Sequence, residues 1–336
     1  MEGLKIYNYK SVEKFISVRD GETRFGEKIA FIESLHNLKE SNARYVLFGI
    51  PEDIGVRANH GKAGASKAWE ACLSSLLNIQ KNEFTAPENI ILLGEIDCKA
   101  EMAKAVNIDE NDPNYYPKLG DLVETIDEKV SLLIEKIVLA GKIPIIIGGG
   151  HNNAYGNIKG TSKAIKKPLN ILNIDAHTDL RKLEHRHSGN GFSFAQRDGF
   201  LGKYAIFGLH KNYTPQYIFN EIKSVSNIKF HLFEDLILQT HQGKMAAFNS
   251  QLEFVNKLAF GLELDCDAII NFPSSAKSPS GFALNMVRNF IQLTSEEKNC
   301  KYLHICEAAP TQESVGQVGK ALSFFLTDFM KADYGR

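Results

Sequence analysis

The chain has 336 residues, 43% of them hydrophobic and 24% charged, and its 39 basic and 40 acidic side chains leave a net charge of −1. Such a composition supports a large core, and the balanced charge provides no field for holding nucleic acid or an anionic membrane. No stretch nears the ~20 apolar residues of a membrane span and the opening residues lack an apolar secretory segment, so a cytoplasmic protein is expected.

Residues 1–40 read as an N-terminal helical extension, and 41–336 as one α/β domain. Strands are expected at 45–50, 90–93, 143–147, 169–174, 204–207, 258–264 and 302–306, where apolar, often β-branched residues run together. Between them, helical spacing covers 64–80 (Ser66 as a cap), 122–139, 214–222, 280–292 and 312–329. Residues 99–118, containing Glu-Asn-Asp-Pro-Asn-Tyr-Tyr-Pro, read as a loop. Strands alternating with helices predict a three-layer α/β/α fold around a mostly parallel sheet. The five cysteines (72, 98, 266, 300, 306) are odd in number and form no Cys-x-x-Cys pair, so reduced core thiols are expected.

Chemistry concentrates at three strand ends. Asp175, His177 and Asp179 alternate directly after the 169–174 run, and in extended chain a period of two sends all three to one side. One such motif could be polar residues spilling into a loop. The pattern recurs, however, as Glu263, Asp265 and Asp267 within a second apolar run, and buried unpaired carboxylates cost several kcal/mol unless a cation or hydrogen bonds compensate. Alternation turns Cys266, between two of these acids, to the opposite face as packing. His151 follows the run 143–147 through Gly148-Gly149-Gly150, glycines that allow a tight turn but lack the spacing of a phosphate-binding loop. The pooled set His151, Asp175, His177, Asp179, Asp265 and Asp267 exceeds the needs of one ion and suits two bridged by shared carboxylates. Oxygen and imidazole donors favour a cation such as Mn²⁺ over a thiolate-type zinc site.

Gly-Gly-Gly-His (148–151), Asp-Ala-His-Thr-Asp (175–179) and Asp-Cys-Asp (265–267) together resemble the three signature blocks of the ureohydrolase family of arginases, agmatinases and formimidoylglutamases. The resemblance spans roughly residues 40–330. Residues 49–65, His-Asn-Asn-Ala-Tyr-Gly (151–156) and Asp179-Leu-Arg181 look most like formimidoylglutamases. The resemblance implies an arginase-like fold and two Mn²⁺ per chain, Co²⁺ or Fe²⁺ being alternatives. One ion would be held by His151, Asp175, Asp179 and Asp265, the other by Asp175, His177, Asp265 and Asp267. It further implies attack by a bridging hydroxide on an amidine or guanidine carbon, with Asp179 carrying the proton to the departing nitrogen and Glu307 binding the substrate's cationic =NH₂⁺ group.

Glu263 stands where the family often has Ser. It could orient a histidine ligand or simply be salt-bridged. Substrate selection falls to the loop after Asp179, where Arg181 is the leading partner for a substrate carboxylate, and Lys182, Arg186, Ser188 and Asn190 are further candidates. Ser188-Gly-Asn190 also resembles the arginase loop that holds an α-carboxylate. Phe192 occupies the place of the expected shuttle histidine, which His185 or His187 could replace. The expected reaction is hydrolysis of N-formimidoyl-L-glutamate to L-glutamate and formamide, a step of histidine degradation. The alternative is an arginase or another guanidino hydrolase of agmatinase or guanidinobutyrase type. A single-zinc deacetylase-like enzyme or a non-catalytic metal-binding member fits the intact ligand set less well. The expected partner is a small molecule, with a homo-oligomer left open.

Overall fold

Runs such as Ile143–Ile147, Leu169–Ile174 and Phe260–Asp265 are mostly apolar and buried along nearly their whole length, the mark of parallel strands covered by helices on both faces. The computed structural model describes residues 3–330. Among them, β1 (Leu4–Ile6), β2 (Tyr45–Gly49), β3 (Ile90–Ile96), β4 (Ile143–Ile147), β5 (Leu169–Ile174), β6 (Leu201–Leu209), β7 (Ile228–Leu232), β8 (Phe260–Asp265) and β9 (Cys300–Cys306) form one sheet. Its order is β1-β3-β2-β4-β9-β8-β5-β6-β7. Every neighbouring pair is parallel except β1 with β3.

Strand alternation divides the core into two layers. Leu172, Ile174, Leu262, Leu264, Leu303 and Ile305 enter one, against Leu322 and Phe325 of the helix Val315–Met330. Ile146, Ile171, Ile206 and Tyr302 enter the other, against Val130 and Ile134 of the helix Tyr115–Leu139 and Ile158 of the helix Ala154–Ile165. Each fully buried Leu or Ile contributes about 1.5–3 kcal/mol relative to exposure. Cys266 joins the first layer, and all five cysteines are free and buried. No helix among the described residues is long and apolar enough to cross a membrane.

The chain leaves β4 and returns to the sheet at β5, three places away, with β9 and β8 between them. This separation opens a crevice at the carboxyl ends of the four central strands, where open α/β sheets place their ligands.

Several elements differ from expectation. The N-terminal extension contains a strand as well as helical turns, because Leu4 pairs with Ile96 at the sheet edge. Residues 1–2 of that extension, and 331–336 of the expected 41–336 domain, lie outside the described residues. The expected loop at 99–118 contains the helix Lys99–Val106 and the start of the helix Tyr115–Leu139. Pro117 sits in the first turn of the latter, where its missing N–H breaks no helical bond. Residues 64–80 break into a short turn, Ala65–Lys67, and the helix Ala68–Leu76. Ser66 donates to Asp53 Oδ2 instead of capping.

Candidate metal centre

Asp175 is the first residue beyond β5, and its Oδ1 accepts the backbone N–H of His177 at 2.7 Å. Asp265 ends β8, and its Oδ1 accepts the N–H of Asp267 at 2.7 Å. Each aspartate thus closes a tight turn onto the residue two positions later. In both, one oxygen is tied down and Oδ2 faces inward, 3.3 Å (Asp175) and 3.2 Å (Asp265) from His151 Nδ1. Asp179, at a left-handed φ of 49°, brings its Oδ2 to 2.8 Å from the same nitrogen. Convergence of 175, 177 and 179 therefore depends on this bend, since the strand itself ends at Ile174. Strand alternation describes only the residues up to that point.

His151 arrives on the loop after β4. Gly148 and Gly149 take φ values of 94° and 74°, and a side chain on Gly149 would strike Asn153 and Glu52. Buried Glu52 holds the loop in place. Its Oε1 accepts from Gly150 N, Asn152 Nδ2 and Asn153 Nδ2, and its Oε2 from the N–H groups of Ile54 and Gly55. Sequence reasoning gave Glu52 no role, because the loop it holds, Gly150 to Asn153, lies about a hundred residues away.

Donor atoms of His151, Asp175, Asp179 and Asp265 lie within 4.8 Å of one another, as do those of His177, Asp265 and Asp267. His177 Nδ1 is 3.5 Å from Asp175 Oδ1 and 3.9 Å from Asp267 Oδ2. Burial raises Asp265, Asp179 and Asp267 above the usual carboxylate range, and neighbouring carboxylates push them the same way. Burial acts oppositely on His177, yet Asp175 and its fellow acids draw it up to about 10. His151 Nδ1 faces three carboxylate oxygens without a hydrogen-bond partner. Such a set requires positive charge at its centre. Four carboxylates and two imidazoles around two adjoining groups fit a pair of hard or borderline divalent cations.

A cleft of about 190 Å³ opens onto this cluster. Its wall includes His177, Asp179, Asp265 and Asp267, together with Asn59, Arg181, Ser188, Tyr213, Ser275 and Glu307. Glu307, just past β9, has a left-handed φ of 60°, and its Oε1 accepts the N–H of His151 at 2.7 Å. Burial, reinforced by Asp267, pushes its carboxyl up to about 8, and Oε2, beside Ser275, has no hydrogen-bond partner. Tyr213, which the sequence did not single out, stacks its ring on His177 with centroids 5.3 Å apart.

The loop after Asp179 divides sharply. Arg181 and Ser188 line the cleft, with Asn59 Nδ2 donating to Ser188 Oγ at 3.1 Å. Asn190 does not line it. Its Oδ1 accepts from Arg186 Nη1 and His187 N, and its Nδ2 donates to His185 O. Arg186 is buried and bound to Asp127, Asn190 and the Asn152 carbonyl, so it is no substrate ligand. Lys182 lies over the Tyr217 ring on a neighbouring groove. The three cations expected beside the metals thus reduce to Arg181. Neither His185 nor His187 reaches the cleft wall: His185 Nε2 bonds Ala58 O, and His187 lies between Glu184 and Gly189 N. Phe192 packs edge-on beneath His151.

The sequence profile of the arginase family matches residues 43–326. Among curated proteins, the formimidoylglutamase of Geobacillus sp. (strain WCH70) is 26% identical over 318 residues, covering 91% of this chain and 90% of that protein. That of Macrococcus caseolyticus is 28% identical over 209 residues, 61% of this chain and 65% of the other. Among solved structures, formimidoylglutamase from Bacillus subtilis superposes with a TM-score of 0.75 at 17% identity, covering 97% of this chain and 98% of that one. Trypanosoma cruzi formiminoglutamase with Mn²⁺ gives a TM-score of 0.73 at 16% identity, covering 94% and 99%.

Proposed function

Since the chain belongs to the arginase family, we propose that it is a binuclear-metal hydrolase, holding two Mn²⁺, that cleaves N-formimidoyl-L-glutamate with water to L-glutamate and formamide. The observation that carries this reading is the polarity of the cleft. Its lining carries the acids Asp179, Asp265, Asp267 and Glu307, which suit a cationic amidinium. On its wall is Arg181, the one lysine or arginine among the described lining residues, and no described side chain or backbone group pairs with its guanidinium. A substrate with an amidinium at one end and carboxylate at the other matches a lining of acids and a single arginine. Relatives named formimidoylglutamase support the same choice.

When bound, a pair of divalent ions activates water and neutralises charge developing on the substrate. The residues His151, Asp175, Asp179 and Asp265 would hold one ion, and His177, Asp265, Asp267 and Asp175 the other. Glu307 Oε2 receives an N–H of the amidinium and orients its carbon toward the cluster. Asp179, on both the ligand set and the cleft wall, passes a proton to the amine of the departing glutamate. Arg181 forks onto a substrate carboxylate, and Ser188 and Asn59 offer neutral hydrogen bonds beside it.

The arginase alternative loses ground here, because Asn190 is consumed inside its loop. The Mn²⁺-loaded protein should hydrolyse formimidoylglutamate with a far higher kcat/KM than arginine, agmatine or guanidinobutyrate. Arg181→Met should raise KM for formimidoylglutamate about tenfold or more and leave metal content unchanged, since one charged contact contributes about 1.5–3 kcal/mol. Faster cleavage of arginine with a silent Arg181→Met would overturn the assignment.

A further inference from the structure

One pleat below the ligands, the central strands carry a second row of polar side chains. Backbone register aligns Asn173 of β5 with Glu263 of β8, and Glu263 with His304 of β9. All three are buried, on the face that also carries the ligands Asp175 and Asp265. Asn173 Nδ2 donates to Asp175 Oδ2 at 2.9 Å, so one end of the row already supports a ligand. At the centre, Glu263 is fully buried. Its Oε1 accepts from Tyr302 OH at 2.6 Å, and its Oε2 pairs with His304 Nδ1 at 2.5 Å. His304 Nε2 lies 3.4 Å from the carbonyl of Gly148, on the loop that delivers His151.

The geometry points to Glu263 as a positioning residue for His151. The His151 ring is buried, with Nδ1 turned to the three carboxylates. Its opposite nitrogen, Nε2, has no hydrogen-bond partner, and Glu263 Oε2 lies 3.5 Å away. A neutral imidazole has one N–H and one lone pair. If Nε2 carries the hydrogen, Glu263 is the carboxylate that receives it, and the lone pair on Nδ1 is left for a cation. Tyr302 and His304 hold the carboxylate where only that ring tautomer is favoured, and a carboxylate behind a ligating imidazole raises its basicity. A simple packing role would require no acceptor here. Glu263 could also have been a salt-bridged strand residue, but among the described residues neither lysine nor arginine pairs with it, and its contacts run to His304, Tyr302 and His151.

The inference rests on the proposed metal centre, so its test is metal binding in the absence of substrate. Titration of the metal-free full chain with Mn²⁺ should give two tight sites in the parent. Glu263→Gln should weaken one of them 10–100-fold, the usual loss when such a partner is removed, and leave the other within about twofold. Tyr302→Phe, which removes one support of the carboxylate but keeps the His151 contact, should produce a smaller loss at the same site and guards against a Glu263→Gln variant that fails to fold. Parent-like affinity in both folded variants overturns the inference. So does a third ion in the parent that Glu263→Gln loses, because Cys306, His151 and Glu263 also have donor atoms within 4.8 Å and would then be ligands themselves. A parent that binds no Mn²⁺ refutes the metal centre itself, a different failure.

Discussion

Asp179 concentrates three demands on one residue. It belongs to the buried group of candidate ligands, it lines the cleft, and it takes a left-handed backbone conformation that Asp and Asn accept more readily than other non-glycine residues. Asp179→Asn therefore changes charge and proton-carrying capacity without disturbing the bend. Turnover should fall ~10²–10⁴-fold, the usual cost of losing a proton-transfer group, with the circular-dichroism spectrum and the EDTA-treated melting profile close to those of the parent. A kcat within a few-fold of the parent at equal metal content would remove the shuttle role. Glu307 illustrates the opposite situation. Its identity as a strand-end acid is visible in sequence, but its carboxylate is divided between the His151 N–H and the cleft, an arrangement created by a positive φ that composition does not announce.

At the scale of elements, the loop after Asp179 is fixed by one clamp. Arg186 carries an ion pair to Asp127 on the helix Tyr115–Leu139 at 2.9 Å and lies between the rings of Tyr155 and Phe194. Burial pushes the Asp127 carboxyl up to about 6 despite the guanidinium beside it, so the pair is held at a desolvation cost. Arg186→Met leaves that carboxylate buried and alone. Unfolding in urea should show a loss of about 3–5 kcal/mol, and the double variant with Asp127→Leu should recover much of it. A single variant as stable as the parent would mean that the loop does not depend on the clamp. This clamp also explains what the sequence concealed. Arg186 and Asn190 read as cleft residues because they stand near Asp179, whereas Arg186 is held by Asp127 and the Asn152 carbonyl from distant stretches and in turn occupies Asn190. The six candidate ligands were legible because buried strands make clustered acids conspicuous. The helix Ala154–Ile165 was not, because Gly156 and Gly160 weaken its helical signal. They are needed for close packing: a side chain on Gly160 would come within 2.4 Å of the Ser131 carbonyl.

For the whole molecule, the crevice gathers residues from the ends of β4, β5, β8 and β9, so the cluster ties together the sheet and the loops that cross its mouth. Four buried aspartates there oppose folding unless positive charge accompanies them. Metal loading should therefore act on global stability and not only on activity. A ligand that binds the folded chain alone stabilises it by about 2.7 kcal/mol per site at a hundred times its Kd. Melting temperature should rise with Mn²⁺ concentration after removal of metal by EDTA, and elemental analysis at saturation should give near two ions per chain. Because imidazole and carboxylate ligands must be deprotonated to bind, the stabilisation by a fixed Mn²⁺ concentration should grow as pH rises from 6 to 8. His177→Ala should reduce the stoichiometry toward one and lower the Mn²⁺-dependent gain, while the EDTA-treated variant melts near the EDTA-treated parent. An unchanged melting temperature across the titration, or full activity with one ion per chain, would rule out the binuclear centre.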